Sequence, residues 1–384
     1  MAGNDTQWRQ ELTAIERYDH IQNMCAILEA TTSTATPTHQ SAFAIENDAY
    51  NNSNTREQYD SACLLKPNSD DPSAAHHGVP DEAGQLSGDA PGSPGITIGT
   101  YQDCHHVSGG VTSEVYRSRS VALKVIAETH ILEPHNPQRE AKILGLLEPP
   151  CIPLLETFRD QDQHFVLAMP FMPLSLEQLI EQRAPLSRQQ LTAHFGSLFG
   201  ALAHIHSKGI IHRDIKPSAV LLASPDGPAY LSDFGTAWHP QLSTTSEPAD
   251  KKILDIGTGA YRAPEVLFGD KSYNAAIDIW GAGVMLTECA RDPAKPIFES
   301  RAAHEDGNQL SLILSIFKTI GSPTPETWPQ AKGFKTPPFE MYQSFPGRPW
   351  AELLEGVEED VADLIKKMLQ FESSTRPTAE QVSS

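Results

Sequence analysis

From residue 96 onward, strand-like and helix-like patterns are segregated along the chain, and this order constrains the fold more than any other feature. Short runs rich in β-branched and aromatic residues come first: GITIGTYQDCHHV, SEVYR, VALKVI and HFVLAMPF. Helical periodicity follows. In LTAHFGSLFGALAHIHSKG, the residues Leu191, Phe195, Leu198, Phe199, Leu202 and Ile205 recur every three or four positions, and Gly209 closes the helix. AAIDIWGAGVMLTECA is apolar on nearly every side, the pattern of a central buried helix. Strands first and helices second predict an α+β fold, with a small β-rich lobe, a larger helical lobe and a cleft between them.

What precedes residue 96 has a different character. Residues 1–30 place Trp8, Leu12, Ile15, Met24, Cys25 and Leu28 at roughly helical spacing, which predicts an amphipathic helix. Residues 31–95 are rich in Ser, Thr, Asn, Asp, Pro and Gly, with too few apolar side chains to offset the entropy of ordering. They are expected to be a disordered linker, and the paired His76 and His77, lacking a third ligand nearby, to be solvated. The organisation predicted is therefore 1–30, 31–95 and a folded domain over 96–384.

Charge and cysteine usage narrow the function classes. The net charge is −20, from 29 basic against 49 acidic residues, and no basic run offsets the repulsion that a nucleic acid would meet. Five cysteines are scattered without a C-x-x-C pair, which points to free thiols in a reducing compartment. The first 30 residues lack the basic start and apolar core of a secretory signal. Nowhere do 18 apolar residues run together, so no membrane span is expected. These features predict a soluble intracellular protein of the nucleus, the cytoplasm or both.

The chemistry is concentrated in a few short segments. IIHRDIKPSAVLL carries His212-Arg213-Asp214, and YLSDFG carries Asp233-Phe234-Gly235, 19 residues from Asp214 to Asp233. Upstream, VALKVI holds Lys124 and QREAKIL holds Glu140; downstream come GTGAYRAPEVLFG, DIW and TRPTAEQ. Either tripeptide alone is unremarkable. Together, in this order and at this spacing, the segments resemble the eukaryotic protein kinases over the whole of 96–384. The resemblance is closest to the cyclin-dependent kinase (CMGC) branch, through YRAPEVLFG and IFKTIGSPTPETWPQ, and extends to fungal-type single-chain CDK-activating kinases.

That resemblance implies an ATP-dependent protein serine/threonine kinase using Mg2+, with an N-lobe over about 96–171 and a C-lobe over about 172–384. Asp214 would orient the acceptor hydroxyl, Lys216 would stabilise charge on the transferred phosphoryl group, and Thr258 would bridge the two. Lys124 would grip the α- and β-phosphates, held by Glu140, and Asp233 would hold the metal. Val115, Ala122 and Leu221 would sandwich adenine, Met169 would be the gatekeeper, and the backbone of Phe171 and Met172 would face the base. Glu265 would pair with Arg376, and Asp278 would brace the catalytic loop. Lys216 and Thr258 favour Ser/Thr acceptors. A protein substrate is implied, with a cyclin-dependent kinase in cell-cycle control as the candidate.

The pattern breaks at two places. The phosphate loop reads Ser108-Gly109-Gly110-Val111-Thr112-Ser113-Glu114-Val115 and keeps only the middle motif glycine, Gly110. Five residues after Asp214 stands Ala219, where kinases place a metal-binding Asn. A methyl group cannot ligate, and this raises the alternative of a pseudokinase working as a scaffold or regulatory binding module.

Regulation is also legible in part. The helix NPQREAKIL does not match the cyclin-contacting helix of ordinary cyclin-dependent kinases, so activity without a cyclin is expected. Arg213 is the type of residue that pairs with an activation-segment phosphate. The position five before Thr258 is Ile253, and no Ser or Thr occurs from Glu247 to Gly257. Asp250 and Asp255, with Asp255 first, are the internal anions expected to meet Arg213. Phosphorylation of the Ser243–Ser246 cluster is the competing expectation.

Overall fold

The computed structural model describes residues 95–109, 113–127, 133–181, 185–300, 308–339 and 343–383, together with 45, 49, 53 and 55–63. The helix expected over 1–30, most of the expected linker and Gly110 lie outside the described residues. The chain divides into two compact units, residues 1–84 and 85–384. In the first, helix α1 (Arg56–Cys63) begins where the Thr55 hydroxyl accepts the Gln58 N–H at 3.2 Å, and it carries an Arg56–Asp60 ion pair at 3.0 Å.

The second unit opens with six antiparallel strands: β1 (Ile96–Ile98), β2 (Tyr101–Gly109), β3 (Ser113–Ser118), β4 (Val121–Ile126), β5 (Glu156–Arg159) and β6 (Phe165–Pro170), in the order β1-β2-β3-β4-β6-β5. Alternation sorts their side chains onto two faces. Leu123 and Val125 of β4 pack with Val166 and Ala168 of β6 into a small core on one face. Ala122 and Lys124, which alternate with them, therefore face the other way, with Lys124 registered opposite Val115 of β3 and Leu167 of β6. Helix α2 (Pro137–Leu144) crosses from β4 towards β5. Asn136 caps it by accepting the Arg139 N–H at 2.9 Å, with Pro137 at the first helical position.

The rest of the unit is helical: α3 (Leu176–Ile180), α4 (Arg188–Ser207), α5 (Pro264–Leu267), α6 (Ala276–Ala290), α7 (Asn308–Ile320), α8 (Trp350–Leu353), α9 (Glu359–Met368) and α10 (Ala379–Ser383). Ser187 and Gln190 form a reciprocal capping box at the start of α4. Every residue of α6 from Ile277 to Cys289 is buried, as its all-round apolarity requires. The predicted α+β order is thus realised as a bilobal kinase-like arrangement of sheet and helices.

One small element does most to place the site. Strands β7 (Leu174–Ser175), β8 (Val220–Leu222) and β9 (Ala229–Leu231) form a second sheet in that order. In the β8–β9 hairpin Val220 pairs with Leu231, and the Ser232 N–H donates to the Ala219 carbonyl at 2.8 Å. The segment leading into β8 and the segment leaving β9 therefore emerge side by side. This is why a 19-residue separation brings Asp214 and Asp233 to one end of one hairpin.

Among the described residues the four cysteines are buried with no disulfide, and no helix is long and apolar enough to cross a membrane.

Candidate active site

Two charged constellations line the cleft between sheet and helices. In the first, Lys124 Nζ donates to Glu140 Oε1 and Oε2 at 2.8 and 3.0 Å and to Asp233 Oδ1 at 3.2 Å. Lys124 comes from β4, Glu140 from α2 and Asp233 from the turn after β9, so the cluster joins both lobes. Burial pushes the Lys124 ammonium down, but Glu140 and Asp233 more than offset this and leave it raised. Lys124 in turn, against the effect of burial, holds the Asp233 carboxyl well below the usual carboxylate range. Asp233 remains open to the cleft, its side chain 47% exposed, while that of Glu140 is 3% exposed. An ionised, accessible carboxylate of this kind suits a hard divalent cation.

In the second, Thr258 Oγ1 donates to Asp214 Oδ1 at 2.7 Å, while Lys216 Nζ donates to Asp214 Oδ2 at 2.6 Å and to Thr258 Oγ1 at 3.2 Å. Burial lowers the Lys216 ammonium, but the Asp214 carboxylate beside it, together with Asp233 and Glu177, more than offsets this and leaves it raised. The Asp214 loop is held from below by Asp278 of α6. Its Oδ2 accepts the His212 N–H at 2.9 Å and pairs with His206 Nε2 at 2.9 Å, and its Oδ1 accepts the Arg213 N–H at 2.8 Å. These bonds support a non-glycine residue at positive φ, since Arg213 has φ 74°; Asp233 is likewise at φ 60°. Phe234 is fully buried against His212, ring centroids 4.9 Å apart.

Val115, Ala122 and Leu221 are half-buried, as are Met169, Phe171 and Met172. One detail changes. The Phe171 N–H donates to the Ser120 carbonyl at 2.8 Å, and its ring is covered by the Arg117 guanidinium at 4.3 Å. That N–H is committed to the sheet edge, so a backbone role for Phe171 would fall to its carbonyl. Ala219 is buried at 1% exposure and offers only a methyl group. Gly110 cannot be placed, lying outside the described residues.

A protein kinase domain profile matches residues 101–384. The chain belongs to the protein kinase family. Serine/threonine-protein kinase csk1 of Schizosaccharomyces pombe is 31% identical over 290 residues, covering 72% of this chain and 90% of csk1. Serine/threonine-protein kinase CAK1 of Saccharomyces cerevisiae is 28% identical over 274 residues, 59% of this chain and 74% of CAK1. Cyclin-dependent kinase 7 of Carassius auratus is 30% identical over 295 residues, 73% and 80% of the two chains. Among solved structures, the yeast RNA Pol II CTD kinase CTDK-1 complex contains a chain that superposes with a TM-score of 0.62 at 22% identity, covering 77% of this chain and 95% of that one, a likeness of fold. The protein is a serine/threonine kinase of the cyclin-dependent branch that uses ATP.

The kinase also contains a pairing that sequence reasoning missed. Arg213 does not meet Asp255, which is exposed; its guanidinium pairs with Glu247, and both side chains are fully buried. The reason is anchoring. Trp238 Nε1 donates to the Glu247 carbonyl at 2.9 Å, and the Ile253 N–H donates to Glu247 Oε1 at 2.8 Å, which turns this carboxylate inward. Nothing local marks it, since EPADKKILD carries three acids and only burial selects among them.

Proposed function

We propose that this kinase transfers the γ-phosphoryl group of ATP to a hydroxyl on the activation segment of cyclin-dependent kinases, and does so as a single chain without a cyclin. The observation that carries the reading is that both constellations, Lys124–Glu140–Asp233 and Asp214–Lys216–Thr258, stand assembled within hydrogen-bond reach in the chain by itself. The choice of substrate class rests on the resemblance to single-chain CDK-activating kinases. Independence from a cyclin is supported by the docking of α2, whose capping Asn136 donates its N–H to the Gly235 carbonyl at 3.1 Å.

In this reading Asp214 orients the incoming hydroxyl and accepts its proton, while Lys216 and Thr258 fix its rotamer. Lys124 binds the α- and β-phosphates, Glu140 keeps it aimed, and Val115, Ala122, Leu221 and Met172 hold the base. Asp233 would hold Mg2+, which when bound neutralises charge on the phosphate oxygens. Ala219 supplies no ligand for a second ion, so the site fits one well-held cation rather than two. The alternative of a silent scaffold rests on Ala219 alone.

The test is direct: incubate the purified full chain with labelled ATP, Mg2+ and a recombinant cyclin-dependent kinase, beside a copy whose activation-segment Thr is Ala. Label that depends on that Thr is the expected result. Label on a general substrate but on neither kinase copy would remove the proposed substrate, and no transfer to any protein would favour the scaffold.

A further inference from the structure

An arginine precedes each of two carboxylates of the site in sequence: Arg139 before Glu140, and Arg213 before Asp214. Both arginines are buried, at 4% and 2% exposure, and a buried guanidinium demands an anion. Each finds one within this chain. Arg213 Nη1 donates to Glu247 Oε1 and to the Tyr273 hydroxyl, the latter at 3.1 Å, and its Nε donates to the Thr236 carbonyl at 2.5 Å. Arg139 Nη1 donates to Glu133 Oε2 at 2.7 Å.

The two pairs are connected. Ser246, next to Glu247, donates to Glu133 Oε1 at 3.3 Å, and Asn136 Nδ2 donates to the same oxygen at 3.3 Å. A continuous run of bonded groups thus leads from the loop of Asp214, through Arg213, Glu247, Ser246 and Glu133, to the N-terminus of the helix that carries Glu140. Every anion in it is a carboxylate of this chain. Ile253 occupies the position five before Thr258, and Ser243 is fully buried with its Oγ accepting the His239 N–H at 3.0 Å.

We propose that Glu247 is the built-in anion of the activation segment, a positioning residue that holds Arg213, and through it Asp214, in the working arrangement, with Glu133 doing the same for Arg139 and α2. The segment from 236 to 258 then needs no phosphorylation for activity. The inference rests on the reading of the chain as a kinase that works alone, and it concerns the regulation of that same site.

The experiment uses the full chain, phosphatase-treated or not, with myelin basic protein as a general substrate and amide hydrogen exchange as a readout independent of turnover. Treated wild type is expected to keep its rate within about twofold and to keep slow exchange over 236–258. Glu247→Gln, nearly the same shape without the charge, is expected to lower kcat by about tenfold or more, to move the KM for ATP by less than about threefold, and to speed exchange over 236–258 while α4 and α6 stay protected. Glu247→Asp, which restores the charge, recovers part of the rate. Loss of wild-type activity on phosphatase treatment, or a Glu247→Gln enzyme equal to wild type in both readouts, overturns the proposal. If Glu247→Gln does not fold, Glu247→Asp and the phosphatase arm decide alone. Failure on cyclin-dependent kinases with retained activity on myelin basic protein would remove the proposed substrate and leave this inference standing.

Discussion

Asp214 accepts hydrogen bonds from both Thr258 and Lys216, which leaves its carboxylate fixed at the mouth of the cleft. If its role is to orient the acceptor, Asp214→Asn should lower kcat by about 10² to 10⁴ while leaving the KM for ATP nearly unchanged, measured by steady-state transfer to a protein substrate. Ala219→Asn tests the other unusual position. Restoring a ligand should raise the transfer rate by about tenfold or more and change its dependence on Mg2+ concentration from one-ion to two-ion behaviour. These positions were legible in the sequence because phosphoryl transfer tolerates few residue types at each of them. Lys124, Glu140, Asp214, Lys216, Asp233 and Thr258 each occupy a distinct place in an ordered set of motifs, and the structure brings them into two clusters. Glu247 was not legible. An ion pair across 34 residues is specified by which carboxylate the surrounding fold buries, and Asp250 and Asp255 offered the same chemistry in the same stretch.

At the scale of elements, the catalytic loop depends on α6 through one side chain. Burial alone would push the Asp278 carboxyl up, yet its hydrogen bonds with His206 and the Arg213 N–H, helped by the charges of His206 and His212, hold it below its ordinary value. A carboxyl with a depressed folded-state pKa contributes stability that is fully present above its unfolded value, about 4, and lost as pH falls through the folded value. Asp278→Asn should therefore cost about 2 kcal/mol near neutral pH, and its gap from wild type in thermal melts should shrink as pH is lowered below about 4. The hairpin β8–β9 is the other decisive element. Its short strands are not legible as a sheet in the sequence, because runs as brief as VLL and AYL carry too few residues to show a period.

Across the whole molecule, the order of strands and helices was enough to give the α+β architecture, since segregated patterns leave few ways to cover a sheet and bury a helix like α6. The helix α1 was harder to see. Among its described side chains only Tyr59 and Cys63, four residues apart, are buried, too few to show a period in a stretch whose composition predicts a disordered linker. Long-range closure depends on Arg376, which donates to both oxygens of Glu265 at 2.6 and 2.8 Å and lies 5.0 Å over the Trp280 ring. With both partners buried, Glu265→Gln should lower the unfolding free energy by about 3–5 kcal/mol in a denaturant titration, a cost far larger than that of any exposed ion pair.

The carboxylate that holds Arg213 has a consequence beyond its geometry. A phosphate is added and removed within the lifetime of a protein molecule, whereas a glutamate lasts as long as the chain that carries it. If Glu247 serves in place of an activating phosphate, the enzyme has no resting form for a phosphatase to restore, and its output in the cell would follow the number of copies present, with control passing to transcription, turnover and access to substrate.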